Sequence, residues 1–384
     1  MSGPGLKQRP APGAALRRLF AGCGPALRAL AAGLAALGLF WWARGTRRWM
    51  DGFIRAVSAP YKRVVSGWVD GLPFSVGETL CALGVLALLA LAGLTVCQRL
   101  RGKKRLLRRG LALAALAVWI YAGVCAFWGV HYYGTGFEQN TGLAAQPVSA
   151  GQLLATARWF AEGVNRTAGG VPRDQNGCFC AGVQQIFDAS PGLYDGVVQK
   201  YPCLAGPQRR PKRASFSVLM SMTGFTGYIF PYTGEITLNV DCPAVFLPVT
   251  VAHETAHQRG VAPEQEANFV AVAACLASEK PLYEYSGWLF GWLHLSNALY
   301  RADPAAYGEL WAQLCPEAQA DLLANNAYWD RFEGPVREAA ESTYTGFLQS
   351  YGQQLGMQSY GACVDLLVAR YCPACAQAQA PAAP

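Results

Sequence analysis

Histidine is scarce in this chain, with four in 384 residues. Acidic residues are scarce in its first third, where positions 1–130 hold three Asp or Glu against 18 Lys or Arg. Positions 131–384 hold 21 acids against 14 bases, so the formal net charge of +8 combines a strongly basic front with a mildly acidic back. No internal repeat is visible. The basic residues of the front flank apolar runs, a pattern that belongs to membrane insertion and argues against a nucleic-acid partner. The first apolar run has no convincing small-residue cleavage site behind it, which argues against a removable signal.

Three apolar runs stand in the front. Ala29–Ala43 is short at fifteen uncharged residues, but Arg28 and Arg44 can snorkel, and Trp41 and Trp42 suit an interface. Phe74–Val96 carries one acid, Glu78, near its start, and Leu111–Val130 grows aromatic toward its end. These runs predict transmembrane helices over about 29–43, 74–96 and 111–130, within a membrane domain spanning 1–130. The stretch Gln98–Gly110 reads as a loop with seven Lys or Arg and no acid. Such a loop favours the cytoplasmic side, which puts residues 131–384 outside the cytoplasmic membrane of a multi-pass protein. The cationic Arg44–Lys62 segment then lies outside, against the rule. Its W-x-x-G-F-I-x-x-V spacing suggests an amphipathic interfacial helix.

Residues 131–375 are expected to form one domain, followed by a disordered tail over 376–384. Val148–Val164 reads as a helix capped by Ser149, and Arg209–Arg213 as a solvated basic loop. Ser221–Asn239 alternates β-branched and aromatic residues around a Pro-Tyr-Thr-Gly turn, a hairpin pattern. Helices dominate from Phe246 onward. Nine of the thirteen cysteines follow position 131. Cys178 with Cys180, and Cys372 with Cys375, read as structural disulfides. His131 and His294 read as ordinary core or surface histidines.

The remaining two histidines stand together in Val249-Thr-Val-Ala-His253-Glu254-Thr-Ala-His257-Gln-Arg-Gly260. On a helix, positions i and i+4 share a face, so both imidazoles can reach one ion. Glu254 then lies near a water on that ion, placed to take its proton. Pro248 suits the first turn of such a helix and Gly260 its end. A second apolar helix opens with Glu264-Gln-Glu266-Ala-Asn268. This block resembles the gluzincins, zinc peptidases with a glutamate ligand on the helix after H-E-x-x-H. The resemblance implies Glu264 as third ligand and Asn268 as its face-mate orienting a histidine. Glu266 is an alternative ligand, because the gap after His257 is shorter than in most gluzincins.

Four stretches resemble the bacterial membrane family known as domain of unknown function 3810. They are Pro60–Gly77, Gly227–Asn239, the H-E-T-A-H to E-Q-E-A-N-F block, and Gln358–Ala369. That resemblance implies membrane attachment and a zincin-like domain, without a substrate. In the gluzincin layout an edge strand beside the active-site helix pairs with an extended substrate, and residues 235–239 are the candidate strand. Tyr228, Tyr232 and Tyr360 are candidate donors to a developing oxyanion.

The expectation is a mainly α chain. Three N-terminal transmembrane helices precede a zincin-like α+β domain with a small antiparallel sheet and a helical C-terminal part. Its partners are the lipid bilayer and a peptide or protein substrate. The expected function is zinc-dependent peptide hydrolysis, with Zn²⁺ on His253, His257 and Glu264 and Glu254 as general base on a zinc-bound water. The alternative is a non-catalytic, zinc-stabilised membrane protein that binds a cell-envelope partner.

Overall fold

The computed structural model describes residues 22–97, 103–143, 145–353 and 363–373. The chain is mainly helical. Helix α1 (Gly24–Ala43) is followed by α2 (Arg47–Phe53), a π-turn over Ile54–Ser58 and α3 (Ala59–Asp70), the last three forming one continuous rod. Helices α4 (Val76–Cys97) and α5 (Lys103–Phe127) come next. Three of these, α1, α4 and α5, are long and apolar enough to cross a membrane.

Their boundaries differ from the sequence expectation for local reasons. Helix α1 starts at Gly24 rather than Ala29, because Pro25 needs no N–H partner in a first turn. Helix α4 starts at Val76 rather than Phe74, where the Ser75 hydroxyl accepts from the Glu78 amide at 3.2 Å. Most of the basic stretch read as a loop is helical from Lys103, since Lys and Arg are good helix formers. Residues 98–102 lie outside the described residues, as do the tail at 376–384 and Tyr360. Helix α5 ends at Phe127, and a 3₁₀ turn covers Gly129–Tyr132.

Each of these three helices is tied to the globular part. Arg44 donates to the Tyr133 hydroxyl at 2.9 Å, just past α1. The Gly77 amide in α4 donates to Glu235. The Tyr232 hydroxyl donates to the Ile120 carbonyl of α5.

The globular part opens with α6 (Ala150–Thr167), whose Ser149 cap accepts from the Gln152 amide at 3.3 Å. Strands β1 (Lys212–Arg213), β2 (Gly227–Ile229) and β3 (Ile236–Leu238) form the sheet. Helices α7 (Leu247–Gln258), α8 (Glu264–Leu276), α9 (Pro281–Ala302), α10 (Pro304–Ala312), α11 (Pro316–Asp330), α12 (Pro335–Ser350) and α13 (Cys363–Tyr371) follow. Almost every side chain of α7 and α8 is buried, so neither helix shows a polar face. Aromatic residues of α6 and α9, including Phe160 and Trp292, are fully buried beside them. Burial of each such side chain contributes roughly 1.5–3 kcal/mol.

Three expectations need correction here. The sheet is mixed, not antiparallel. Its order is β1-β3-β2, with Lys212 opposite Thr237 in parallel register and Tyr228 opposite Thr237 in antiparallel register. The hairpin is also shorter than expected, because Ser221 and Met222 belong to a helical turn over Ser217–Met222. Second, the basic run 209–213 is not a solvated loop. Lys212 is buried against Glu235 at 3.1 Å, and Arg209 donates to Ser66 Oγ and the Arg63 carbonyl of α3, each at 3.1 Å. Third, Cys178 and Cys180 are free thiols rather than a disulfide. Cys375 lies outside the described residues.

Candidate metal centre

Helix α7 carries His253 and His257 one turn apart, with ring centroids 4.5 Å apart. Its end is a Schellman turn. Gly260 sits at φ +92°, a left-handed conformation that glycine adopts without strain. The Gly260 amide returns to the His257 carbonyl at 3.0 Å and the Val261 amide to the Ala256 carbonyl at 3.1 Å. That reversal brings the Val261 carbonyl to 2.7 Å from His257 Nδ1. With its proton on Nδ1, the ring turns the Nε2 lone pair toward α8.

Helix α8 begins at Glu264, three residues after Val261 closes the turn. Its carboxylate is completely buried, with Oε2 at 3.2 Å from His253 Nε2 and 3.4 Å from His257 Nε2. Donor atoms of the three residues all lie within 4.8 Å of one another. Glu264 Oε1 accepts from the Tyr344 hydroxyl at 2.8 Å, while Oε2 has no hydrogen-bond partner. Burial opposes a charge on Glu264, but the two histidines outweigh it and hold this carboxyl well below the usual range. Burial also opposes charge on His257, and the Glu264 carboxylate overcomes it, raising the imidazole to about 9. A field that retains a proton there also favours a metal cation. Two imidazole nitrogens and one carboxylate oxygen form a set of three protein ligands suited to a catalytic zinc site. The convergent donors and the orphaned Oε2 fit such an ion.

Glu254 is also buried, and its Oε2 has no hydrogen-bond partner. Burial raises its pKa, with the two histidines opposing. Its closest wall is Gly227 of β2, where an added Cβ would lie 2.8 Å from Glu254 Oε1. A side chain at this position would have to displace Leu238, at 2.6 Å, or Glu254. Two cavities of about 280 Å³ each meet at His253 and Glu254. One runs between β2, Trp128 and Tyr344. The other runs past Asn268 toward His294 and Asn325.

The structure brings His253, His257, Glu254 and Glu264 together, with Asn268 buried one turn along α8. It does not bring Glu266 to the group. That carboxylate faces away and accepts from the Phe137 amide at 2.9 Å, and burial raises it to about 6. Tyr228 lines the cavity that holds His253 and Glu254, with its hydroxyl hydrogen-bonded to Ser75 and Thr237. Tyr232 is docked on α5 through its hydroxyl. The candidate substrate strand 235–239 is also corrected. Its core, β3, lies in the middle of the sheet with both backbone edges paired, leaving β2 as the strand beside the cavity.

Three residues near the group escaped sequence reasoning. Tyr344 reaches Glu264 from α12, a distance of 80 positions along the chain. Trp128 packs edge-on against His257 with ring centroids 5.2 Å apart. His294 lines the second cavity with an unpartnered Nε2, and burial, aided by His253, lowers its pKa to about 4. A lone histidine on an apolar helix gives no signal of such a position. His131 is a core histidine, as expected, and lies outside this group.

These observations define a mainly helical protein with, among the described residues, three helices able to span a membrane and a buried His-His-Glu cluster. Residues 52–368 match the family model described as protein of unknown function DUF3810, and the chain belongs to that family. No curated protein and no solved structure matches it.

Proposed function

We propose that this protein is a membrane-anchored, zinc-dependent peptidase whose globular part faces the extracytoplasmic side. The observation that carries the reading is the second buried carboxylate. A structural metal site needs only its ligands, yet here the unsatisfied Oε2 of Glu254 stands beside His253 at the junction of two cavities. His253, His257 and Glu264 would hold the ion, and Asn268 would steady the ligand face. When bound, the zinc acts as a Lewis acid and lowers the pKa of a coordinated water.

The chain's own residues supply the remaining functions. Glu254 accepts a proton and hands it to the leaving amine, which neither histidine can do while its lone pair holds a metal. The edge of β2 offers backbone groups to an extended peptide, and Gly227 keeps that strand close to Glu254. Trp128 and Tyr344 wall the cavity and limit water. Orientation rests on the seven bases of 98–110, which stand in the sequence between the second and third apolar runs.

The test is Glu254→Gln, which preserves shape and removes the base. Zinc content, melting temperature and membrane insertion are expected to stay at wild-type values. Peptide hydrolysis is expected to fall by roughly 10²–10⁴-fold, measured by comparing membrane-proteome cleavage products. If no cleavage depends on Glu254 while deleting residues 131–384 still gives a phenotype, the binding-protein reading replaces this one.

A further inference from the structure

A different cavity, of about 380 Å³, lies between the α2–α3 rod and the end of α7. Its walls carry four basic side chains: Arg55, Lys62, Arg63 and Arg259. The one acid on its wall, Asp51, is already engaged, accepting from the Thr135 amide and hydroxyl at 2.7 Å each. None of the four bases has a salt bridge among the described residues.

Lys62 makes the arrangement unusual. It is 5% exposed, and its ammonium lies 3.3 Å from His131 Nε2 and 5.2 Å from the centre of the Trp128 ring. Ser58 Oγ shares that imidazole nitrogen at 3.2 Å. An imidazole lone pair and a π face are weak compensation for burying a full charge, which ordinarily demands a counter-ion. Arg259 is likewise incompletely satisfied. One guanidinium nitrogen donates to the Leu204 carbonyl at 2.5 Å, while its buried Nε has no partner. Arg55 and Arg63 are exposed beside them, one turn or more apart on the rod. One buried and one half-buried base, both partly satisfied, and two exposed ones around one opening form a site for a compact, multiply charged anion. Arginine's planar fork suits phosphate oxygens.

We infer that this cavity binds a phosphate-bearing group, through Lys62 and Arg259 inside and Arg55 and Arg63 at its mouth. The rod that forms one wall lies between two helices able to span a membrane. An anionic phospholipid headgroup and free inorganic phosphate would therefore both present the right chemistry. The site is separate from the His-His-Glu cluster and does not depend on its role.

The test uses the full-length protein. In detergent, inorganic phosphate is titrated at constant ionic strength, balanced with chloride, and the melting temperature is followed. In a second arm the protein is placed in nanodiscs of phosphatidylcholine alone or with phosphatidylglycerol. A specific ligand stabilises by mass action, so the wild type should show a saturable rise in one arm at least. Stabilisation by phosphate identifies a soluble source, and stabilisation by phosphatidylglycerol alone identifies the headgroup. Arg55→Gln with Arg63→Gln, both exposed, should leave the ligand-free melting temperature and zinc content unchanged. The apparent affinity should fall about tenfold or more, the scale of losing charged hydrogen bonds. Lys62→Met should abolish the response while keeping the fold, since it replaces a buried, weakly partnered amine with an apolar side chain of similar length. No rise in either arm, or a wild-type response in the double arginine variant, would overturn the inference.

Discussion

Two clusters of buried carboxylates, Glu235 in one and Glu254 with Glu264 in the other, differ in how their oxygens are used. Glu235 is fully engaged. Its Oε1 accepts from Ser75 Oγ at 2.8 Å and from the Gly77 amide, and its Oε2 pairs with Lys212, which also donates to the Val69 carbonyl at 2.8 Å. Glu264 accepts one conventional hydrogen bond and turns its other oxygen toward two imidazole nitrogens, while neighbouring Glu254 leaves an oxygen unpartnered. Both clusters bury charge at similar depth. The first closes every valence with protein groups, as a structural joint between α4, β1 and β3 should. The second leaves acceptors open, which is costly in a fold unless something else fills them. The contrast separates the charges that hold the molecule together from those available for chemistry.

The comparison breaks first at Glu235. Glu235→Ala leaves Lys212 buried without its partner and should destabilise the protein by about 3–5 kcal/mol, read by chemical or thermal melting in detergent. Glu254→Gln removes an unsatisfied charge instead and should leave melting unchanged or raised. Equal losses in the two variants would erase the distinction.

Lys62 sharpens it through pH. Burial lowers this amine to about 7 in the folded chain, from 10.5. Between those values the unfolded chain holds the proton and the folded chain does not, so stability should rise with pH from about 7 toward 10.5. Melting in phosphate-free chloride buffer should show that slope in the wild type and a flatter one in Lys62→Met. Identical slopes would place Lys62 in a less desolvated setting.

A smaller effect is expected at Tyr344. Its hydroxyl fixes Glu264, so Tyr344→Phe should weaken zinc affinity roughly 10–100-fold without loss of fold, measured by competition with a chelator. An unchanged affinity would mean that α12 only covers the site.

Much of this site was legible because its signals are local. The i, i+4 spacing of His253 and His257, and the opening of the next helix at Glu264, need only one helix-turn-helix to become neighbours. The choice of Glu264 over Glu266 was not legible. Both lie in the same first turn, and only the Gly136–Phe137 backbone, which occupies Glu266, separates them. The three apolar runs were visible from length and composition, but their ends depended on Pro25, Ser75 and a helical basic stretch. Strand β1 is two residues long and gains its identity from pairing with β3, so no pattern in Arg209–Arg213 announces it. Tyr344 and His294 reach the site from other helices and Trp128 from the turn after α5, and long-range packing leaves no periodic trace.

His253, His257 and Glu264 act together only if they hold an ion, and metal analysis of purified full-length protein tests this most directly. The wild type is expected to carry stoichiometric zinc, Glu266→Ala to keep it, and Glu264→Ala to lose nearly all of it while still folding. A zinc-free wild type, or a loss confined to Glu266→Ala, would contradict the assignment of His253, His257 and Glu264 as a metal centre.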